Sequence, residues 1–282
     1  MSNERHNYEY EVDTNSQTAP ANVVRLVGNK KRVLEIGCGP GSITKILAEQ
    51  GGCQVTGLEL DPEAIKKVTP YCVNVIQADL NASEWPRLLD KSDLFDVVVA
   101  ADVLEHLYDP WETLKKMVPL IKPEGYIVIS LPHIGHATVM ACLFHGNFDY
   151  RNWGLLDRTH IRFFCLKNIE ELFGQAKLKI IEVAYVVKHP EDTEFSDAWL
   201  SLPGHVKKAF RDSPYSDIYQ VVVKAVPIEF SGKALSLTHP LKKLVKPKIL
   251  YLMKLKSFIS CRLSLKAKKK IRYFLGFLGV KV

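Results

Sequence analysis

Eleven residues near the start of the chain, Val33-Leu-Glu-Ile-Gly37-Cys-Gly39-Pro-Gly41-Ser-Ile43, constrain its fold more than any other stretch. A short apolar run ends in three alternating glycines and opens at once onto a helical pattern, Ser42–Gln50, with Ile43, Ile46 and Leu47 on one face. Glycine tolerates positive φ and lets a ligand approach the backbone closely. In an open parallel sheet the ligand crevice lies beyond the carboxyl ends of the strands, where strand order reverses, and such a strand–glycine–helix junction belongs there.

The chain after this junction keeps the same rhythm. Apolar runs at 32–36, 54–60, 74–77, 95–100 and 126–131 read as strands, separated by helical stretches at 42–50, 62–68 and 111–119. Asp61 before Pro62 suits an N-cap and a first helical residue. Val97, Val98 and Val99 are too uniformly apolar for a half-exposed strand and predict a central parallel one. Alternation of this kind implies right-handed crossovers and an α/β, doubly wound sheet. Residues 132–162, rich in Gly, His, Asn and aromatics, show no period and read as a substrate loop or lid. A helix at 167–175 and strands at 179–187 and 218–226 follow, the last two as an antiparallel pair at the sheet edge joined by the polar stretch 188–217. The expected fold is a mostly parallel, seven-stranded, Rossmann-like sheet.

The glycine spacing is GxGxG, not the GxGxxG of a dinucleotide site, and no GK[ST] of a phosphate-binding P-loop is present. Pro40 removes an N–H that would help hold a pyrophosphate. Three acidic groups stand at the strand ends: Glu35, Glu59 and Asp79. Glu59 is placed to accept hydrogen bonds from ribose hydroxyls. Carboxylates would repel a polyphosphate and suit a nucleoside bearing a cationic amine, as S-adenosylmethionine does.

Several ordered motifs then resemble the class I S-adenosylmethionine-dependent methyltransferases over about residues 20–226: the glycine loop, Gly57-Leu-Glu-Leu-Asp61, Gln77-Ala-Asp-Leu80, Phe95-Asp-Val-Val-Val-Ala-Ala-Asp-Val-Leu-Glu-His-Leu107 and Lys122-Pro-Glu-Gly-Tyr-Ile-Val-Ile-Ser130. The resemblance implies that Glu35, Gly37, Gly39 and Gly41 face the methionine end of the cofactor. It implies that Glu59 binds the ribose, Asp79 and Leu80 the adenine, and Ala101 the cofactor through its backbone. The flanks, Glu9-Tyr-Glu-Val-Asp-Thr-Asn-Ser16 and Gly154-Leu-Leu-Asp-Arg-Thr-His-Ile-Arg-Phe-Phe164, look like methyltransferases found with glycosyltransferases in bacterial surface-polysaccharide synthesis. A sugar hydroxyl needs a general base, and His160 and then His133 are the first candidates. Asp157 would orient His160, and Arg158 and Arg162 would bind an anionic sugar or diphosphate. The Asp-Val-Leu-Glu-His segment also resembles quinone- or phenol-type O-methyltransferases, and a non-catalytic scaffold that binds the cofactor and recruits a transferase is the alternative from another class. No Asp-Asp or Asp-Asn pair follows the fourth or fifth strand, so no metal is expected.

Charge divides the chain. From Lys233 to Val282 there are fourteen Lys or Arg and no Asp or Glu, whereas residues 1–232 are net acidic. Ile249, Leu252, Met253, Ile259 and Leu263 fall roughly on one helical stripe among those charges. Such a basic, amphipathic, aromatic segment suits an anionic membrane surface or a partner such as a glycosyltransferase better than nucleic acid. The expected organisation is an N-terminal segment, 1–31, capping the cofactor site, a methyltransferase domain, 32–232, and the tail, 233–282. A polar N-terminus, the lack of an 18-residue apolar run and six scattered cysteines without a CxxC pair predict a cytoplasmic protein with reduced thiols, peripheral at most to the membrane.

Overall fold

The computed structural model describes residues 9–90 and 94–238. The basic stretch 239–282 lies outside the described residues. Seven strands form one sheet: β1 Arg32–Ile36, β2 Gln54–Glu59, β3 Asn74–Gln77, β4 Phe95–Ala101, β5 Ile121–Pro132, β6 Leu178–Val187 and β7 Ile218–Pro227. Their order is β3-β2-β1-β4-β5-β7-β6. The first five are parallel, and β7 runs antiparallel to both β5 and β6. Strand order reverses between β2 and β4 about β1, so the glycine loop stands at the switch point.

Burial explains why the strands form where the apolar runs predict. Val97, Val98 and Val99 of β4 are fully buried between β1 and β5, as a strand covered by helices on both faces must be. The helices follow their capping chemistry. In α3, Pro62–Val68, the Asp61 carboxylate accepts the Glu63 N–H at 3.2 Å, and in α4, Pro110–Met117, Asp109 accepts that of Glu112 at 2.9 Å. α2, Ser42–Glu49, has no side-chain cap; Gly41, in the left-handed region with φ 96°, turns the loop into it.

The structure departs from the pattern reading in four places. An additional helix, α1 (Ala19–Val27), packs Ala19, Val23 and Val27 into the core that β1, β4 and β5 share, so the segment before residue 32 is part of the folded domain. The stretch 132–162 contains α5, Ala137–Phe144. After α6, Leu166–Gln175, the connection 188–217 folds as α7, Ser196–Ser201, and α8, Gly204–Asp212, with Trp199 fully buried under them. The final pair is antiparallel as expected, but β7 is interior: Val221, Val222 and Val223 are buried, and only β6 forms the edge. The five described cysteines are unpaired. Among the described residues no helix is long and apolar enough to cross a membrane.

Candidate active site

A cavity of about 1170 Å³ opens over the carboxyl ends of β1, β2 and β4. Small-molecule sites usually measure about 300–1,000 Å³, so this one has room for a cofactor and an acceptor together. Its walls are built by short-range backbone chemistry. Gly37 and Cys38 donate to the Leu58 carbonyl at 2.8 and 3.1 Å, which straps the glycine loop to β2. The Glu59 carboxylate holds the loop from the other side: one oxygen accepts Gly39 N–H at 2.8 Å, and the other accepts Leu60 and Asp61 N–H at 2.7 and 2.9 Å. Gly37 has φ 67°, and a Cβ there would stand 2.7 Å from Val103. A Cβ on Gly39 would project into open space, leaving backbone accessible to a ligand.

Glu35 lies in this wall at 3 % exposure. The neutral Thr44 hydroxyl donates to it at 2.6 Å, and burial raises its pKa to about 7. A buried carboxylate met by one hydroxyl is a site that a cationic ligand completes, and S-adenosylmethionine, with its ammonium and sulfonium groups, fits it. Lys67 and Lys188 are the lysines of a wall that otherwise carries carboxylates.

Of the residues predicted from sequence for the cofactor, the structure brings Glu35, Gly37, Gly39, Glu59 and Ala101 to the cavity. Gly41 is set back: its Cβ position meets Val68 at 2.9 Å, so it shapes the turn into α2. Asp79 and Leu80 lie in the turn after β3 and do not line the cavity; Asp79 is exposed and caps its own turn through Asn81 N–H.

The run Asp157-Arg158-Thr159-His160 docks on the turn after β4. Ile161 and Arg162 N–H groups donate to the Glu105 carbonyl at 2.9 and 3.0 Å, and His106 Nδ1 meets the Thr159 carbonyl at 3.2 Å. This brings His160 and Asp157 to the cavity. The Asp157 carboxylate accepts from the Thr159 backbone and hydroxyl at 2.8 and 2.7 Å, and its link to His160 is backbone, through the Asp157 carbonyl. Burial, and then the neighbouring His106, push the His160 pKa down to about 4. The other three residues predicted for substrate and catalysis lie outside the cavity lining. Arg158 is exposed and outside the lining. Arg162 is spent on the Tyr108 carbonyl and lies over the Trp111 ring. His133 is 3 % exposed, is held against Gly135 with its N–H on the Tyr219 carbonyl at 2.9 Å, and lies outside the cavity lining.

Other wall residues stood inside the sequence motifs without being singled out for the site. Tyr10 is tied in by its N–H to Ser42 Oγ at 3.0 Å. Asp102 follows β4 with φ 53°, an uncommon conformation for a side-chain-bearing residue. It accepts from Ser130 at 2.6 Å and from Gln220 at 3.1 Å. Its signal lay in pairing across three strands, which spacing does not reveal. Glu105 is fully buried at the cavity floor, and its desolvation and the nearby Asp102 hold its carboxyl well above the usual range.

Comparison with known proteins agrees with this geometry. The methyltransferase-domain family matches residues 5–183. A ubiquinone biosynthesis O-methyltransferase of Nitrosospira multiformis is 32 % identical over 144 residues, 45 % of this chain and 56 % of that one. A 2-methyl-6-phytyl-1,4-hydroquinone methyltransferase of Synechocystis is 30 % identical over 98 residues, 35 % and 31 % of the two chains. The chain spans about half the length of the curated ubiquinone-biosynthesis relatives it matches. A crystal structure of a S-adenosylmethionine-dependent methyltransferase from Archaeoglobus fulgidus superposes with a TM-score of 0.51 at 18 % identity, over 73 % of this chain and 91 % of that one, and shares the fold. The chain belongs to the methyltransferase-domain family and carries a S-adenosylmethionine-dependent methyltransferase domain.

Proposed function

We propose that the chain methylates a hydroxyl oxygen on a small acceptor with an uncharged ring, as a quinol- or phenol-type O-methyltransferase does. The make-up of the cavity wall carries this reading. Leu107, Pro132, Trp153 and Tyr219 offer flat or apolar surface, carboxylates supply most of the charge, and among the described residues no arginine lines it. An acceptor bearing a diphosphate or uronate would meet like charge there. The names of the relatives, which concern quinone rings, support the same class.

Bound at this wall, S-adenosylmethionine supplies a methyl group already activated on a sulfonium. The chain then has to orient the acceptor and manage its proton. Glu35 offers the charge that matches the cofactor's cation, the Gly37–Gly39 backbone gives it room, and Glu59 keeps that loop in place. Tyr10 and the docked 157–160 turn form two sides of the cavity. Alignment of this sort lowers a barrier by roughly 7–11 kcal/mol. A positioned base adds roughly 10²–10⁴-fold, and in this reading the His160 ring, which lines the cavity and is kept neutral by burial, takes the acceptor's proton.

A second reading, a sugar hydroxyl of a surface-polysaccharide intermediate, is favoured by the Asp157–His160 run and by the basic stretch 233–282, which would hold the enzyme at a membrane carrying a lipid-linked acceptor or dock it on a glycosyltransferase. Methyl-labelled S-adenosylmethionine, incubated with the protein and fractionated host lysate and then partitioned, separates the readings. Label in the organic phase that survives mild acid supports the quinol or phenol acceptor. Organic label that acid releases as a glycan sinks it in favour of the lipid-linked sugar. Cofactor binding without label in any fraction leaves a non-catalytic scaffold.

A further inference from the structure

Beyond the cofactor wall the cavity has a second lobe. β5 and β6 point the same way and β7 the opposite way. Pro132 at the end of β5, Lys188 just after β6, and Tyr219 and Gln220 at the start of β7 therefore meet at one end of the sheet, and all four line the cavity. Tyr219 is fixed there: its hydroxyl donates to the Glu194 carboxylate, 3.0 Å from each oxygen, and Glu194 also accepts the Leu155 N–H at 2.7 Å. The Lys188 backbone is pinned on both sides. Its N–H donates to the Asp217 carbonyl at 2.9 Å, and its own carbonyl accepts from His136 Nε2 at 2.9 Å. The ammonium of Lys188 lies 3.8 Å from the centre of the Tyr219 ring.

That ammonium is half-buried and makes no hydrogen bond or ion pair among the described residues. Glu194, the carboxylate whose charge it feels, is committed to Tyr219 and Leu155, and burial lowers the lysine's pKa in spite of it. The other lysine of the wall, Lys67, is paired with Glu9 at 2.5 Å. Lys188 thus offers three N–H donors on a partly dry ring face, which is an incomplete site that an anionic oxygen completes.

We propose that Lys188 receives the acceptor's ring oxygen as an anion, so that the acceptor is a phenol-type hydroxyl and not a sugar hydroxyl. This rests on the O-methylation reading and narrows it. A phenol ionises near pH 10, as tyrosine does, and an opposite charge within about 4–6 Å favours its ionised form. A lysine on one side of the lobe therefore brings such an oxygen toward ionisation at neutral pH. A sugar hydroxyl ionises far higher and stays protonated beside the same charge. The ammonium gives up no proton; it moves the acceptor's equilibrium, and in this reading the acceptor's proton leaves through His160. One point charge without an arginine fork matches a single phenolate oxygen better than a carboxylate or phosphate, which bidentate donors grip. Trp153, 60 % exposed in the same cavity, offers a flat face for the ring.

The test uses the full chain loaded with S-adenosylhomocysteine and para-nitrophenol as probe, whose ionised form absorbs visible light. A pH titration of the bound probe reads its ionisation in the site. The native chain should raise the probe's ionisation constant at least about tenfold over that in water. Lys188→Met should abolish this gain and Lys188→Arg should keep most of it. Both variants should bind S-adenosylhomocysteine within about twofold of the native chain, which also reports that they are folded. An equal gain in Lys188→Met, or none in a native chain that binds the probe, overturns the role of Lys188 and leaves the phenol-type reading standing. Loss of S-adenosylhomocysteine binding in Lys188→Met at a native thermal midpoint would assign the lysine to the cofactor's carboxylate, and overturns the proposal too. A loaded native chain that does not bind the probe overturns the phenol-type reading together with the proposal.

Discussion

Gly37 shows how a single hydrogen atom decides the cofactor wall. Its φ is 67°, and the space a Cβ would fill is taken by Val103, the residue after Asp102. Gly37→Ala therefore costs about 1–3 kcal/mol from backbone strain and displacement of Val103, and it should lower the thermal midpoint and abolish measurable cofactor binding together. A variant with native midpoint and native affinity would show that the loop is not the cofactor wall. Glu35 carries a second prediction. Its raised pKa, about 7, means that the free protein holds it partly protonated at neutral pH. A cationic ligand favours the carboxylate and releases that proton, so affinity for S-adenosylmethionine should rise by up to tenfold per pH unit below about 7 and level off above. For stability of the free protein the sign is opposite: a carboxyl with raised pKa contributes fully below its unfolded value and loses that contribution as pH climbs through 7. Calorimetric titration from pH 5.5 to 8.5 checks the first claim, and Glu35→Gln should flatten the profile and weaken binding. At this scale the place of Gly37, Gly39, Glu35 and Glu59 at the cavity was legible, since a turn that needs positive φ declares itself in the sequence, whereas Gly41 and Asp79 were read into a wall they do not line. Asp102, equally left-handed, was not legible, because its Ser130 and Gln220 partners come from β5 and β7, well over twenty residues away.

Among elements, the strands β1, β2 and β4 could be read almost residue by residue because each is an apolar run with a buried core, whereas β5 begins at Ile121, five residues before its apolar run. α5 escaped for the reverse reason. Ala137-Thr-Val-Met-Ala-Cys-Leu-Phe144 is apolar nearly all round, with Met140, Leu143 and Phe144 exposed, so it has no helical period to detect. The same applies to β7, whose interior place depends on which strand pairs with β5. His133 shows the cost of placing a side chain by strand ends alone. It follows β5, yet it is buried, neither ring nitrogen has a hydrogen-bond partner, and burial pushes its pKa from 6.5 to about 4. It is therefore held neutral. A histidine with a depressed folded pKa contributes stability above its unfolded value and loses it as pH falls from 6.5 toward 4, a loss of up to roughly 3 kcal/mol. His133→Leu should make denaturant stability less dependent on pH across that window, and it should leave the methyl-transfer rate at pH 7.5 within about twofold. A rate that falls a hundredfold would return His133 to the chemistry.

The whole molecule is a net-acidic domain joined to a stretch with fourteen positive charges and no negative ones. The two parts carry opposite net charge, so an anionic surface draws 233–282 rather than the body. Anionic lipid is the surface that accepts interleaved aliphatic, aromatic and basic side chains at once, each near-surface Lys or Arg adding about 1 kcal/mol and each apolar side chain anchoring at the interface. A cavity lined by Trp153, Leu107 and Tyr219 suits an acceptor drawn from that same surface. The full chain should cosediment with vesicles containing about one third phosphatidylglycerol and not with pure phosphatidylcholine, and should be released as salt is raised toward about 1 M, where the screening length falls to about 3 Å. Full-chain variants with Lys268, Lys269 and Lys270 replaced by Gln should bind more weakly while retaining cofactor affinity, since the charges removed lie outside the glycine loop's domain. Equal binding to both vesicle types would mean that apolar insertion, not charge, drives attachment, and binding to neither would leave 233–282 as a surface for an acidic protein partner.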